Sequence, residues 1–211
     1  MKLLLDFEPC KECKTMMSEL SSPEIIFGDE KILRLSEAEL SRDYEWHYQV
    51  FTEGDSTVQE IRAFHALNPE KGKTYLNWGA GAWSNTIQQL RNEGWDVYGF
   101  EPHSSAAQDS AHIITSFEQL SGMYFDGIFS NNMLEHLRYP VRELQLMSEI
   151  LSNEGKMSHA TPCFEYLYEF TRFHLFFYLG RSRALLAAKA ALNIDSYVVD
   201  GEFMNLILSK K

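Results

Sequence analysis

The sequence predicts a doubly wound α/β fold: a mostly parallel sheet of seven strands, helices on both faces, and an antiparallel hairpin at the C-terminal edge. Three observations carry this. From Lys73 onward, short apolar runs alternate with amphipathic ones, the pattern of strand–helix units that share a parallel sheet. The last two runs, "SYVVD" and "EFMNLILSK", meet at a turn no longer than "GE", which fits a hairpin. The chain has 211 residues, 45% of them apolar and 13% aromatic, enough for one sizeable core.

The elements follow in order. The first 40 or so residues have no regular period. Ser36 is a good N-cap, and a helix is predicted through "SEAELSRDYEWHYQVF". A second helix, "STVQEIRAFHAL", is stopped by "NPEKGK". Residues 1–70 are read as an N-terminal segment that caps the active site, and 71–211 as the main domain. That domain opens with the strand "TYLNW", the helix "SNTIQQLRNEG" closed by Gly94, and the strand "DVYGF". A short helix "SAAQDSA", a weak strand "HIITS" and a strand "YFDGIFS" come next. "PVRELQLMSEILSNEG" reads as a helix with Pro at its start and Gly at its end. "KMSHAT" is the fifth strand, "RSRALLAAKAALN" a helix, and the hairpin closes the sheet.

Charge and composition narrow the function classes. The formal charge is −11 and the pI about 5.1, with no Lys/Arg run to attract a phosphate backbone, so no nucleic-acid partner is expected. No window reaches the roughly 18–20 apolar residues that cross a bilayer, so no membrane partner is expected either. Asp6 and Glu8 interrupt the leucines of "MKLLLDFEPC", and a cytoplasmic location is predicted. Cys10, Cys13 and Cys163 are an odd number and suggest no disulfide framework. Cys10 and Cys13 make only half of a four-thiolate zinc site, so no resident metal is expected. Nothing in the pattern specifies an oligomeric state.

The stretch "KTYLNWGAGAW" locates the candidate site. Gly79 and Gly81 stand between the first strand and its helix, where open α/β sheets bind ligands. Glycine there lets the backbone turn tightly and lets a ligand approach without a Cβ in the way. Glu101 ends the second strand, where a carboxylate can take both ribose hydroxyls of a nucleoside. Trp83 occupies the place of the third glycine of a dinucleotide loop, which disfavours a pyrophosphate and favours a nucleoside without one.

With these residues in hand, the stretch from about Lys73 to Leu208 resembles the class I S-adenosylmethionine-dependent methyltransferases of small-molecule type. The matching pieces are "YLNWGAGAW", "VYGFEPH", "FDGIFSNNMLEHL", "ILSNEGKMSHATP" and "SYVVDGEFMNLILSK". The resemblance implies a Rossmann-like methyltransferase fold and bound S-adenosylmethionine. Its methionine end would lie over Gly79 and Gly81, its ribose on Glu101, its adenine near Thr115 to Phe117, and its sulfonium near Asn131 and Asn132. The implied cofactor set is thus Asn77, Gly79, Ala80, Gly81, Glu101, Pro102, Ser116, Asn131 and Asn132. The chain departs from the family at Asn77, where an acid is usual, at Trp83, and after the third strand, where an Asp is common.

Transfer to a hydroxyl or acidic carbon needs a base, and His136 after the fourth strand is the first candidate. His174, within the aromatic stretch "FEYLYEFTRFHLFFYLG", is the second, as base or substrate contact; that stretch reads as core or as the wall of an acceptor pocket. The expected function is methylation of a small molecule, at O or N sooner than C. The alternative is a non-catalytic module of the same fold with a degenerate cofactor site.

Overall fold

The computed structural model describes residues 35–50, 54–81, 84–103, 111–161, 174–176, 178 and 181–211. Seven strands form one sheet: β1 Thr74–Trp78, β2 Asp96–Phe100, β3 Ile113–Ile114, β4 Phe125–Asn131, β5 Leu151–Ala160, β6 Leu192–Asp200 and β7 Phe203–Lys210. Their order is β3-β2-β1-β4-β5-β7-β6. β3 to β5 pair in parallel, and β7 inserts antiparallel between β5 and β6. The hairpin turns at Gly201, whose φ of +61° suits glycine, and Asp200 pairs with Phe203 across it. The predicted architecture is thus the observed one, and the strand order reverses direction between β1 and β4.

Alternation along the strands divides the core into two layers. Leu76 and Ile128 point to one face, packed with Leu144 and Met147 of helix α4 (Pro140–Ile150) and Leu186 of α5 (Ser182–Lys189). Tyr75 and Phe129 point to the other, under Ala63 and Phe64 of α2 (Thr57–His65) and Leu90 of α3 (Thr86–Asn92). Phe64 sits at the centre of that layer, edge-on to Tyr75, Trp95 and Phe129 at 5.1–5.4 Å. Helix α1 (Glu37–Val50) is started by a capping box: Ser36 Oγ accepts from the Glu39 N–H at 3.3 Å, and Glu39 Oε2 accepts from the Ser36 N–H at 2.8 Å. Its Leu40 joins the first layer, on the face opposite α2; the expectation from sequence that these two helices cover one side of the sheet is not met.

Three boundaries differ from the sequence reading, the first at the C-terminal edge: the helix predicted over "RSRALLAAKAALN" ends at Lys189, and β6 starts at Leu192, four residues before "SYVVD". The helix predicted to run to Gly155 ends at Ile150, and β5 starts at Leu151. Gly155 is no helix cap: a Cβ there would lie 2.8 Å from the Leu151 side chain and 3.0 Å from the Asp126 carbonyl, so the strand needs glycine to approach β4 at its bulge. The third strand shrinks to Ile113–Ile114 and is followed by a 3-10 turn, Phe117–Leu120, whose start is tied by Gln119 Oε1 to the N–H groups of Thr115 and Ser116. Trp83, Cys10, Cys13, Cys163 and most of "SAAQDSA" lie outside the described residues. Among the described residues, no helix is long and apolar enough to cross a membrane.

His159 on β5 is wholly buried, with Nδ1 2.8 Å from Ser130 Oγ, and burial pushes its pKa down to about 3. The unfolded chain therefore binds a proton near pH 6.5 that the folded one refuses, so stability should fall as pH drops below that value. The His159 contribution approaches about 1.4 kcal/mol per pH unit, while the buried acids Glu60 and Glu135, whose pKa values burial raises, act in the opposite sense; the His159 part is therefore read as the difference in slope between wild type and His159→Gln in urea melts at about pH 7.5 and 5.5.

Candidate active site

The reversal in strand order puts the carboxyl ends of β1 and β4 on either side of a crevice, the place where doubly wound sheets hold ligands. The β1 side is the glycine turn. Gly79 and Gly81 have φ of +76° and +64°, a conformation that only glycine adopts at no steric cost. A Cβ on Gly81 would meet nothing within 4 Å, whereas one on Gly79 would stand 2.9 Å from Met133 Cγ. Met133 comes from the segment after β4, so the two sides of the crevice touch at this glycine. Gly79→Ala is expected to destabilise the fold by about 2–4 kcal/mol, from backbone strain plus displacement of Met133, read as a lowered denaturation midpoint. Gly81→Ala, with open space before it, should bear the backbone strain alone.

The backbone of the turn is less bare than the sequence suggests. The N–H groups of Gly79 and Ala80 both donate to the Phe100 carbonyl, at 2.8 and 3.1 Å. The Gly81 N–H donates to Glu101 Oε2 at 3.0 Å, and the His103 N–H to Glu101 Oε1 at 3.0 Å. Glu101 is only 4% exposed, so it spans from β2 directly onto the turn and holds its shape. Committed in this way, the amides of Gly79, Ala80 and Gly81 are not available to a phosphate, in keeping with a ligand that carries none. A carboxylate has about four acceptor positions, enough to hold two amides and still receive ribose hydroxyls.

Beneath the turn the sequence reading missed a residue. Glu60 of α2 is buried; its Oε2 accepts from Asn77 Nδ2 at 2.6 Å and from Ser84 Oγ at 3.0 Å, and its Oε1 accepts from Ser56 Oγ. Burial pushes its carboxyl above the usual range, while these hydrogen bonds pull it back. The acid absent at position 77 is therefore present one residue deeper, coupled to the turn through Asn77. Asn77 is itself fully buried, and its Oδ1 has no hydrogen-bond partner among the described residues. The missed signal was positional: Glu60 falls on the buried stripe of α2 with Thr57, Ala63 and Phe64.

The β4 side continues into a 3-10 turn, Leu134–His136, that carries Glu135 and His136. Asn131 is half-buried at the strand end, and Asn132 is exposed with φ of +49°, its N–H donating to the Ala160 carbonyl at 2.9 Å. His174 comes to the same place: the N–H groups of Leu175 and Phe176 donate to the Glu135 carbonyl at 2.7 and 3.2 Å, and Tyr178 Oη donates to the Leu134 carbonyl at 2.8 Å. The His136 and His174 rings meet edge to face with centroids 4.8 Å apart. Glu135 Oε1 lies 4.0 Å from His136 Nε2, and burial raises the Glu135 pKa to about 7 against the pull of its own backbone N–H and Thr161. Both predicted histidines thus converge on one spot.

Pro102 is exposed beside Glu101, and Ser116 is half-buried in the loop after β3. Next to that loop, Phe117 packs on Phe100 at 5.0 Å with 46% of its surface exposed. A cavity of about 280 Å³ opens between this loop and α4, lined by Trp78, Phe117, Leu120, Tyr124, Leu146 and Ile150 among others. Neither the glycine turn nor Glu101 lines it, so it is not the crevice described above.

This fold and crevice agree with what the chain is similar to. The family described as "Methyltransferase domain" matches residues 46–207, and the chain belongs to it. No curated protein matches the sequence. Among solved structures, the Burkholderia thailandensis 1,6-didemethyltoxoflavin-N1-methyltransferase, with bound 1,6-didemethyltoxoflavin and S-adenosylhomocysteine, superposes with a TM-score of 0.62 at 17% identity, over 82% of this chain and 88% of its own. The mitomycin 7-O-methyltransferase MmcR gives 0.61 at 11% identity, over 99% and 74%. The CcbJ methyltransferase from Streptomyces caelestis gives 0.59 at 13%, over 79% and 95%. At these identities the structural likeness speaks for the fold, the Rossmann-like methyltransferase fold.

Proposed function

We propose that the protein is an S-adenosylmethionine-dependent methyltransferase acting on a small-molecule acceptor, at O or N. The observation that carries this reading is the buried Glu101 carboxylate resting on Gly81 at the mouth of β1, beside the orphaned Asn77 Oδ1. These groups fit the cofactor: Glu101 accepts from the ribose hydroxyls, and Asn77 Oδ1 accepts from the methionine ammonium. Gly81 presents no Cβ to either. Glu60 adds negative charge behind Asn77 that favours a cation there. Ala80 completes the turn, Pro102 and Ser116 flank the adenine, and Asn131 and Asn132 border the methyl. Bound in this crevice, the cofactor supplies an electrophilic methyl group.

The chain's own contribution is placement and proton control. Alignment of donor and acceptor supplies much of the acceleration in such transfers. His136 and His174 are the side chains that take up or hold the acceptor's proton, and His136 is the more open of the two, its side chain 25% exposed. The cap expected over residues 1–70 narrows to α1 and the residues before it at 35–36, tied twice to the site rim, because α2 packs in the core under the sheet. Ser41 Oγ lies 3.1 Å from His103 Nδ1, and Arg138 donates to the Leu35 carbonyl. Small-molecule acceptors fit a crevice of this kind, and the two superposed neighbours named for their small-molecule substrates support that choice.

Calorimetric titration with S-adenosylhomocysteine tests the reading. Saturable heat for one site at micromolar ligand is expected. A flat titration with the protein at high micromolar concentration contradicts it and favours a module that kept the fold without the cofactor.

A further inference from the structure

The cluster beyond β4 has a second chemical meaning. One ligand atom from each of Glu135, His136 and His174 lies within 4.8 Å of the other two. The Glu135 side chain is wholly buried, and neither of its oxygens has a hydrogen bond of normal geometry among the described residues. A carboxylate taken from water without such donors is costly, and a cation shared with neighbouring ligands is one of the few remedies. The cluster is also held from both sides. The Leu175 and Phe176 N–H groups fix the His174 segment to the Glu135 carbonyl, and Tyr178 fixes it to Leu134. Backbone clamps of this kind hold ligands in register before an ion arrives.

We infer that Glu135, His136 and His174 form a binding site for a divalent transition-metal ion. Two imidazoles and one carboxylate suit Zn²⁺, Co²⁺ or Fe²⁺ by donor type, and three protein ligands leave coordination positions open. Ligand atoms on one such ion, at about 2.0–2.2 Å from it, stand about 3–3.5 Å apart. Contraction from 4.8 Å asks for side-chain rotation, which the partly exposed His136 permits. The metal site stands on these residues alone. Its consequence rests on the proposed methyl transfer: with the ion bound, the two imidazoles serve as ligands and no longer as proton acceptors, and open coordination positions would take an acceptor oxygen and favour its deprotonation, making the acceptor a hydroxyl compound that binds through the ion.

Titration of the metal-free, untagged protein with Co²⁺, followed by visible absorption, tests the site directly. Ser replacements at Cys10, Cys13 and Cys163 remove thiolate ligands, whose charge-transfer bands in the near ultraviolet would betray them. One equivalent of Co²⁺ is expected to bind, with ligand-field bands but no thiolate bands. Glu135→Gln and His174→Ala should each weaken binding by at least about tenfold. His136→Gln, at a partly exposed side chain, gives the same readout if either buried variant fails to fold. Absence of Co²⁺ binding, or binding that these substitutions leave unchanged, overturns the inference. Because no cofactor is present, either result is independent of the S-adenosylhomocysteine titration.

Discussion

Glu101→Ala should remove measurable S-adenosylhomocysteine binding while leaving the sheet intact. The wild-type carboxylate is buried and close to the turn, so its hydrogen bonds to a ribose are charge-assisted, each contributing about 1.5–3 kcal/mol. Loss of two such bonds lowers affinity by about 100-fold or more. The same truncation leaves the Gly81 and His103 N–H groups without their acceptor. A modest drop in melting temperature should therefore accompany the binding defect. The two effects separate in a thermal-shift experiment: wild type should gain stability with ligand, and the variant should melt at one temperature with or without it. Glu101→Gln keeps the shape and one acceptor oxygen, and should fall between. A variant that still shifts with ligand as wild type does would remove Glu101 from the site.

The largest effect on folding is expected at Glu60. Glu60→Leu strips the acceptor from Asn77 Nδ2 in the fully buried interior, and from Ser84 and Ser56 beside it. Each unsatisfied buried donor costs about 1–3 kcal/mol, so a loss of about 3 kcal/mol or more is expected in urea denaturation. Glu60→Gln retains an acceptor and a similar volume, and because burial already raises the Glu60 pKa, removal of the charge should cost little stability. Its expected defect lies in binding: cofactor affinity should fall as the negative charge behind Asn77 disappears. If Glu60→Gln bound S-adenosylhomocysteine as tightly as wild type, Glu60 would be a purely structural acid.

How much of this was legible in the sequence depended on range. β1 and β2 match the runs "TYLNW" and "DVYGF" to the residue, because short apolar runs bounded by Gly, Pro or charged residues have few other uses in an α/β chain. The hairpin was legible from "GE", and the placing of Gly81 and Glu101 at adjoining strand ends from their positions in the chain, but the direct hydrogen bond between them was not. Where competing local signals existed, the reading failed. "LSNEG" carries a helix-like Gly ending, but Gly155 serves a close strand approach made necessary by the Leu151 side chain and the Asp126 carbonyl. Glu60 was not singled out at all, since its partners Asn77 and Ser84 are brought to it only by the fold. The convergence of His136 and His174 was equally invisible, because it depends on hydrogen bonds from Leu175 and Phe176 to a carbonyl on another loop. Residue types and their places at element ends were readable; which side chains share a partner was not.

A crystal structure with S-adenosylhomocysteine bound tests the central claim most directly. Density for the nucleoside is expected at the carboxyl ends of β1 and β2, its ribose hydroxyls within hydrogen-bond distance of Glu101 and its ammonium at Asn77 Oδ1. A nucleoside seated elsewhere, in the cavity beside Phe117 and Tyr124 for instance, with no ribose hydroxyl on Glu101, would contradict it.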